Sequence, residues 1–215
     1  MTTFAQKQVR CAVCGTDVQI QTLASTNTFG SSDLDLRPPE MQRSTMNTWV
    51  QHCPACGLCN NSIEDAPPGA EKLVASPRYR AQLAEERVPE LARRFLCAAM
   101  VVESEDRRSA AQSKLCAAWV CDDADLRDMA SECRRGAIGL LVGASPLDDA
   151  SQAMLEGAIV VDLLRRVGDF SLAAEKCDQL AGVATDENLL AILSFQKDLI
   201  AAQDAECHSV DEAIA

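Results

Sequence analysis

The chain has 215 residues, of which 47% are hydrophobic but only 4% aromatic, and its formal net charge is −12. The length suits one or two domains. An interior rich in Ala, Leu and Cys with few rings suits close helix packing better than a β-sandwich. The acidic balance argues against nucleic acid as the main partner, because phosphate recognition needs clustered Lys and Arg, and equally against an anionic membrane surface.

At the N-terminus MTTFAQKQVRC lacks the apolar core of a secretory signal. No run approaches the roughly 18 apolar residues of a membrane span. A cytoplasmic location is therefore expected. Eleven cysteines there should be reduced unless they hold metal. The count is odd, so complete internal disulfide pairing is impossible.

Five of those cysteines cluster early: Cys11, Cys14, Cys53, Cys56 and Cys59. The first pair forms CAVCG and the next forms CPACG. In a C-x-x-C-G knuckle two intervening residues let one tight turn aim both sulfurs at one cation. The glycine lets the backbone bend so that amide N–H groups approach the thiolates. Two knuckles supply four thiolates, the tetrahedral set that zinc prefers, so Cys11, Cys14, Cys53 and Cys56 are the expected ligands of a structural zinc. An iron–sulfur cluster uses the same ligands. A redox C-x-x-C is the rival reading, but no thioredoxin-like βαβ pattern surrounds either motif. His52 and Cys59 flank the second knuckle as near-site residues or as a fifth candidate ligand. An exchangeable ligand would make the zinc catalytic, whereas closed four-cysteine sites are normally structural.

Following the first knuckle, VQIQTL alternates and predicts a strand over 18–23. NTWVQHC, leading into the second knuckle, predicts another. Between them STNTFGSSDLDLRPPE reads as an ordered loop, punctuated by Gly and Pro. Thirty-eight residues separate Cys14 from Cys53, against roughly 15–20 in a compact ribbon. Long ordered loops are often functional, so this insertion draws the functional suspicion. Its charged residues Asp33, Asp35, Arg37, Glu40 and Arg43 either lock the loop by ion pairing or recognise a polar ligand or partner. Trp49 either packs on the ribbon or marks a peptide-binding spot.

EDAPPGA, over 64–70, marks a boundary, and beyond it the pattern becomes helical. Helices are predicted near 89–104, 107–121, 124–142, 146–167, 170–180 and 186–205. The breaks between them are short, which makes neighbours antiparallel hairpins. Cys97, Cys116, Cys121, Cys133, Cys177 and Cys207 sit among apolar neighbours and read as core. The hairpin AIVVDLLRRVGDFSLAAEKCDQL turns at Gly168 and Asp169 and restarts with small residues at Ala173 and Ala174. It looks like a tetratricopeptide-type turn. No strict 34-residue repeat accompanies it, so an irregular bundle stays open beside a tetratricopeptide-like array.

G-x-S-x-G, P-loop, G-x-G-x-x-G and H-E-x-x-H motifs are all absent. His52 and His208 are the only histidines, which disfavours histidine-based acid/base chemistry. No catalytic residue is nominated.

CAVCGTDV, STNTFGSSDLDLRPPEMQRSTMNTWVQHCPACGLC and YRAQLAEERVPELARRFLCAAMV together resemble a bacterial family, domain of unknown function 2225. Its members couple C-x-x-C knuckles to a helical region of tetratricopeptide-like character. The resemblance implies that the four cysteines bind metal and that Asp33, Asp35, Arg37 and Pro38 form a characteristic segment. It implies no reaction.

The expected protein is thus mainly α. A small zinc-ribbon-like β module spans 1–68, an antiparallel helical-hairpin domain spans 69–206, and a disordered acidic tail spans 207–215. The expected role is a bacterial adaptor that binds a protein or peptide, with no nucleic acid and no membrane. The alternatives are an enzyme with its site at the 31–43 loop and a thiol redox or metal sensor using Cys59, which requires an accessible, acidic thiol.

Overall fold

The computed structural model describes residues 1–214, mainly as helix. They form two compact units. The first combines Met1–Thr28 with Glu40–Leu140, and the second combines Phe29–Pro39 with Leu141 onward. The division does not fall at residue 68, where composition shifts. The helices before residue 140 stay with the cysteine knuckles, and the middle of the long insertion belongs to the C-terminal helices.

In the first unit, β1 (Thr3–Arg10) and β2 (Asp17–Ser25) pair antiparallel, with Val9 opposite Val18 and Arg10 opposite Asp17. The predicted strand over 18–23 lies inside β2. β1 has no alternating apolar signature, because only Val9 of its eight residues is buried. Its extended form comes from pairing with β2. The strand expected in NTWVQHC is mostly not formed: Asn47 and Thr48 end a 3-10 turn, Arg43–Thr48, and Trp49 and Val50 form a bend. Only β3 (Gln51–His52) is extended there, paired with β4 (Cys59–Asn60). Thr45 and Thr48 each donate a hydroxyl hydrogen bond to the carbonyl three residues back, at 2.8 Å, and favour the tight turn over a strand.

The short helices α1 (Ala70–Ala75) and α2 (Pro77–Leu83) follow. Ser76 caps α2 by accepting from the Tyr79 N–H, and Pro77 opens it. α3 (Glu90–Val102) then packs along α4 (Arg107–Asp123), which Asp106 caps. Ala92, Ala98, Ala99, Ala117 and Ala118 are buried in this pair, so small side chains let the backbones approach while Phe95 and Trp119 fill the remaining volume. α5 (Arg127–Val142) completes the unit, with Arg134 paired to Asp122 of α4.

The second unit is built on α6 (Ala150–Arg166), α7 (Phe170–Ala181) and α8 (Glu187–Ala201), each packed on the other two. The α6–α7 turn passes through Gly168 at φ +80°, where only glycine is unstrained. Gly157 lets α7 approach α6, since a Cβ there would stand 2.8 Å from a Leu180 methyl carbon. Cys177 and Gln196 fasten the trio through the Leu193 and Ala158 carbonyls, at 3.2 and 3.1 Å. Of the six scattered cysteines, Cys207 alone is exposed.

The tail expected to be disordered over 207–215 is ordered over its described residues. Ser209 bridges Asp33, Leu34 N–H donates to the His208 carbonyl at 2.9 Å, and Val210 N–H donates to the Ser32 carbonyl at 2.8 Å. A short helix, α9 (Val210–Ile214), ends the described chain. Residue 215 lies outside the described residues. Among those described, no helix is long and apolar enough to cross a membrane.

Candidate metal centre

Each knuckle is the turn of a hairpin. The first joins β1 to β2 and the second joins β3 to β4. Their backbones repeat one another. Cys11 N–H donates to Thr16 O and Gly15 N–H to Cys11 O, at 3.0 and 2.9 Å. Cys53 N–H donates to Leu58 O and Gly57 N–H to Cys53 O, both at 2.8 Å. Gly15 and Gly57 take φ +70° and +84°, the left-handed conformation that brings each second cysteine back over its turn.

The four sulfurs of Cys11, Cys14, Cys53 and Cys56 all lie within 4.8 Å of one another. Contacts across the hairpins are shorter: Cys11 to Cys56 is 3.7 Å and Cys14 to Cys53 is 3.6 Å. A tetrahedron with zinc–sulfur bonds of about 2.3 Å has sulfur–sulfur edges of about 3.8 Å. The cluster is therefore placed to hold one metal ion, and the two knuckles contribute equally to it. Among the described residues no other group of His, Cys, Asp or Glu is gathered in this way.

Support around the thiols is unequal. Cys11 and Cys53 are buried, Cys56 is half-buried and Cys14 is exposed. Burial pushes the Cys11 and Cys56 thiols up. At Cys14 the Thr16 hydroxyl, then the Thr16 backbone N–H, stabilise the thiolate and bring its pKa down to about 6. A cation among the sulfurs would override the upward pushes, since a ligating thiol is deprotonated.

Cys59 and His52 stay outside the cluster. Cys59 is fully buried, and its hydrogen bond to Cys97, followed by burial, pushes its thiol up. It meets neither requirement of an exposed, acidic sensor thiol. His52 is half-buried, and burial lowers its pKa, with the Arg94 charge adding to the effect.

The insertion is divided between the units. Asp33, Asp35 and Arg37 are 8%, 1% and 5% exposed, in the second unit. Arg37 N–H donates to an Asp35 carboxyl oxygen at 3.2 Å, and Leu36 turns the chain at φ +64°. Arg166 lies 3.5 Å from the other Asp35 oxygen. These residues form a buried clasp with α6 and the tail. They do not line an open loop. Glu40, Arg43 and Trp49 belong to the first unit. Glu40 is exposed and accepts from the Ser44 hydroxyl, and Arg43 opens the 3-10 turn. Trp49 is half-buried, its indole N–H donating to Thr45 Oγ1 at 3.0 Å.

Two features escaped the sequence reading. Tyr79, the chain's single tyrosine, is fully buried. Its hydroxyl donates to the Gly57 carbonyl and accepts from the Cys59 N–H, each at 3.0 Å, and so fastens the second knuckle to α2. Its uniqueness was the available signal. The other is the buried cluster of Asp162 and Arg165 on α6. Arg165 spans from Asp162 to the Asp204 and Glu206 carbonyls, at 2.6, 2.7 and 2.9 Å. Burial raises the Asp162 pKa, against the pull of the arginine.

No family model, no curated protein and no solved structure matches the chain. Fold and site define a mainly helical protein with a four-cysteine cluster placed to hold a metal ion.

Proposed function

We propose that the protein is a non-enzymatic scaffold of the bacterial family it resembles. A structural zinc staples its two N-terminal hairpins, and its helical hairpins bind a protein or peptide. The carrying observation is the closed set of four sulfurs, two from each of two matching turns. Four thiolates leave zinc no open position for substrate, which is the structural form of such a site. The same set accommodates iron, and the measured metal decides between them.

The binding role falls to the helices, because Asp33, Asp35 and Arg37 are committed to internal contacts. α6, α7 and α8 follow one another across short links and each packs on the other two, which supports a tetratricopeptide-like reading of the second unit, and such arrays bind extended or helical partners on one face. An enzyme with its site at the insertion would need those carboxylates in an open concavity, and they are buried.

The test is partner capture with full-length protein purified without chelator. Capture that persists with Glu40→Gln and Arg43→Gln, and is lost with substitutions on α6–α8, agrees with the proposal. Capture that depends on the insertion alone returns recognition to that segment.

A further inference from the structure

Charge is shared unevenly between the units. The second unit carries 16 Asp and Glu against 5 Lys and Arg, a net of −11, which leaves −1 for the first. Of its five cations, Arg37, Arg165 and Arg166 are buried or nearly so and Lys197 is paired with Asp178. The solvent-facing charge of this unit is thus almost wholly negative.

On that acidic surface lies an apolar groove of about 640 Å³, lined by Met154 and Leu155 of α6, Val183 and Ala184 of the α7–α8 link, and Leu189 and Ile192 of α8. Leu155 is 46% exposed and Val183 is 69% exposed. The N-termini of α6 and α8 both open onto it. They present the exposed carboxylates Asp148, Asp149, Asp186 and Glu187, and neither 146–160 nor 181–194 contains Lys, Arg or His. Asp149 and Asp186 each also cap their helix, through the Gln152 and Leu189 N–H groups.

We infer that this groove is the docking site for an amphipathic helix of a partner protein, one that presents Leu-, Ile- or Met-like side chains flanked by Lys or Arg. The inference rests on the scaffold reading and names its partner's chemistry. The apolar floor takes the anchoring side chains, and helical walls favour a helix laid between them. The acidic rim attracts cations and repels acidic competitors. A second copy of this chain is disfavoured on the same ground, since two faces of net negative charge would meet.

The probe is a labelled peptide of about five helical turns with Leu on one face and Lys on the other. Two controls accompany it: the same design with Glu for Lys, and the same Leu and Lys composition with the Leu positions scattered. Binding to the full chain is read by fluorescence anisotropy and mapped by amide NMR shifts. The Leu/Lys helix should bind with shifts at α6 and α8, and both controls should bind at least about tenfold more weakly. Leu155→Gln combined with Val183→Gln alters two exposed side chains. It should weaken binding about tenfold while leaving thermal unfolding unchanged. Leu172→Gln, at an exposed position outside the groove, should have no effect.

Equal affinity for the Lys and Glu helices, no effect of the double variant, or no binding at all would overturn the inference. So would a dimer that the double variant dissolves, because a second copy would then be the occupant. Shifts elsewhere on the second unit would sink the groove and leave the scaffold reading intact. That reading fails separately, by metal-free protein or by capture that depends on the insertion.

Discussion

The two knuckles share a sequence pattern, a hydrogen-bond pattern and a glycine conformation, yet the protein holds them differently. The first ends a hairpin whose β1 strand is exposed at every residue but Val9. Its ties include an Ala12 N–H bond to the Ile63 carbonyl and an exposed Lys7–Glu64 ion pair. The second is embedded. Cys53, Leu58 and Cys59 are fully buried, β4 packs on α3, and Tyr79 clamps the turn from α2. The motif supplies the ligands, but its surroundings decide how far each turn depends on the metal. On the proposed metal site, the first turn is expected to rely on the ion more than the second, which packing embeds.

Removing the metal should separate them most. Chelation, or Cys53→Ser, which takes away one ligand of a site whose zinc affinity is about 10–16 kcal/mol in small zinc domains, should abolish metal binding. Amide exchange should then speed up across residues 3–25 and stay slow at 51–60 and in α3. Equal loss of protection in both hairpins would refute the asymmetry.

Tyr79→Phe attacks the embedded knuckle alone. It leaves the Cys59 N–H and the Gly57 carbonyl buried without this partner, at a cost of about 3 kcal/mol in denaturant unfolding. Metal stoichiometry should be unchanged.

Matched glycine substitutions give a smaller, graded contrast. Gly15→Ala incurs left-handed strain alone, since the nearest atom to an added Cβ is 3.8 Å away, and should cost about 1 kcal/mol. Gly57→Ala adds a 2.9 Å clash with a Leu83 methyl carbon and should cost about 2 kcal/mol.

The smallest effect is a pH response confined to the tail, which serves as a control on acid release of metal. His208 lies between Asp204 and Glu212 and meets Phe195 edge-on at 5.6 Å. Its hydrogen bond to Glu212, then the Ser209 N–H, brings the Glu212 pKa down from 4.5 to about 2. A depressed carboxylate contributes stability above its unfolded pKa and loses it as pH falls through the folded one. Tail amide protection should therefore fall between about pH 4.5 and 2. Glu212→Gln should shrink that fall to the part carried by Asp204, whose pKa the Glu206 N–H and then His208 also lower, and an undiminished fall would exclude the Glu212 pair as a cause.

These contrasts also mark what could be read in the sequence. The cysteine ligands were legible because their spacing is local: each C-x-x-C-G encodes its own turn. The helices from 89 onward were legible through their apolar periodicity and short breaks. β1 was not, because its partner supplies its order and its exposed face carries no pattern. The insertion misled for a related reason. DLDLRPPE reads as a charged surface loop, but its environment is set by α6 and the tail, well over a hundred residues away. The tail looked disordered for the same reason, since its pairing partner is at residues 32–34.

One metal ion held by four thiolates from two turns is the feature on which the proposed scaffold depends. Elemental analysis of protein purified without chelator, with native thiol alkylation mapped by mass spectrometry, tests it most directly. About one zinc per chain is expected, with Cys11, Cys14, Cys53 and Cys56 protected until chelator is added. Exposed Cys14 reports most clearly, because without metal its acidic thiol should be the first of the four to react. Metal-free protein in which Cys14 is alkylated from the start would contradict the account.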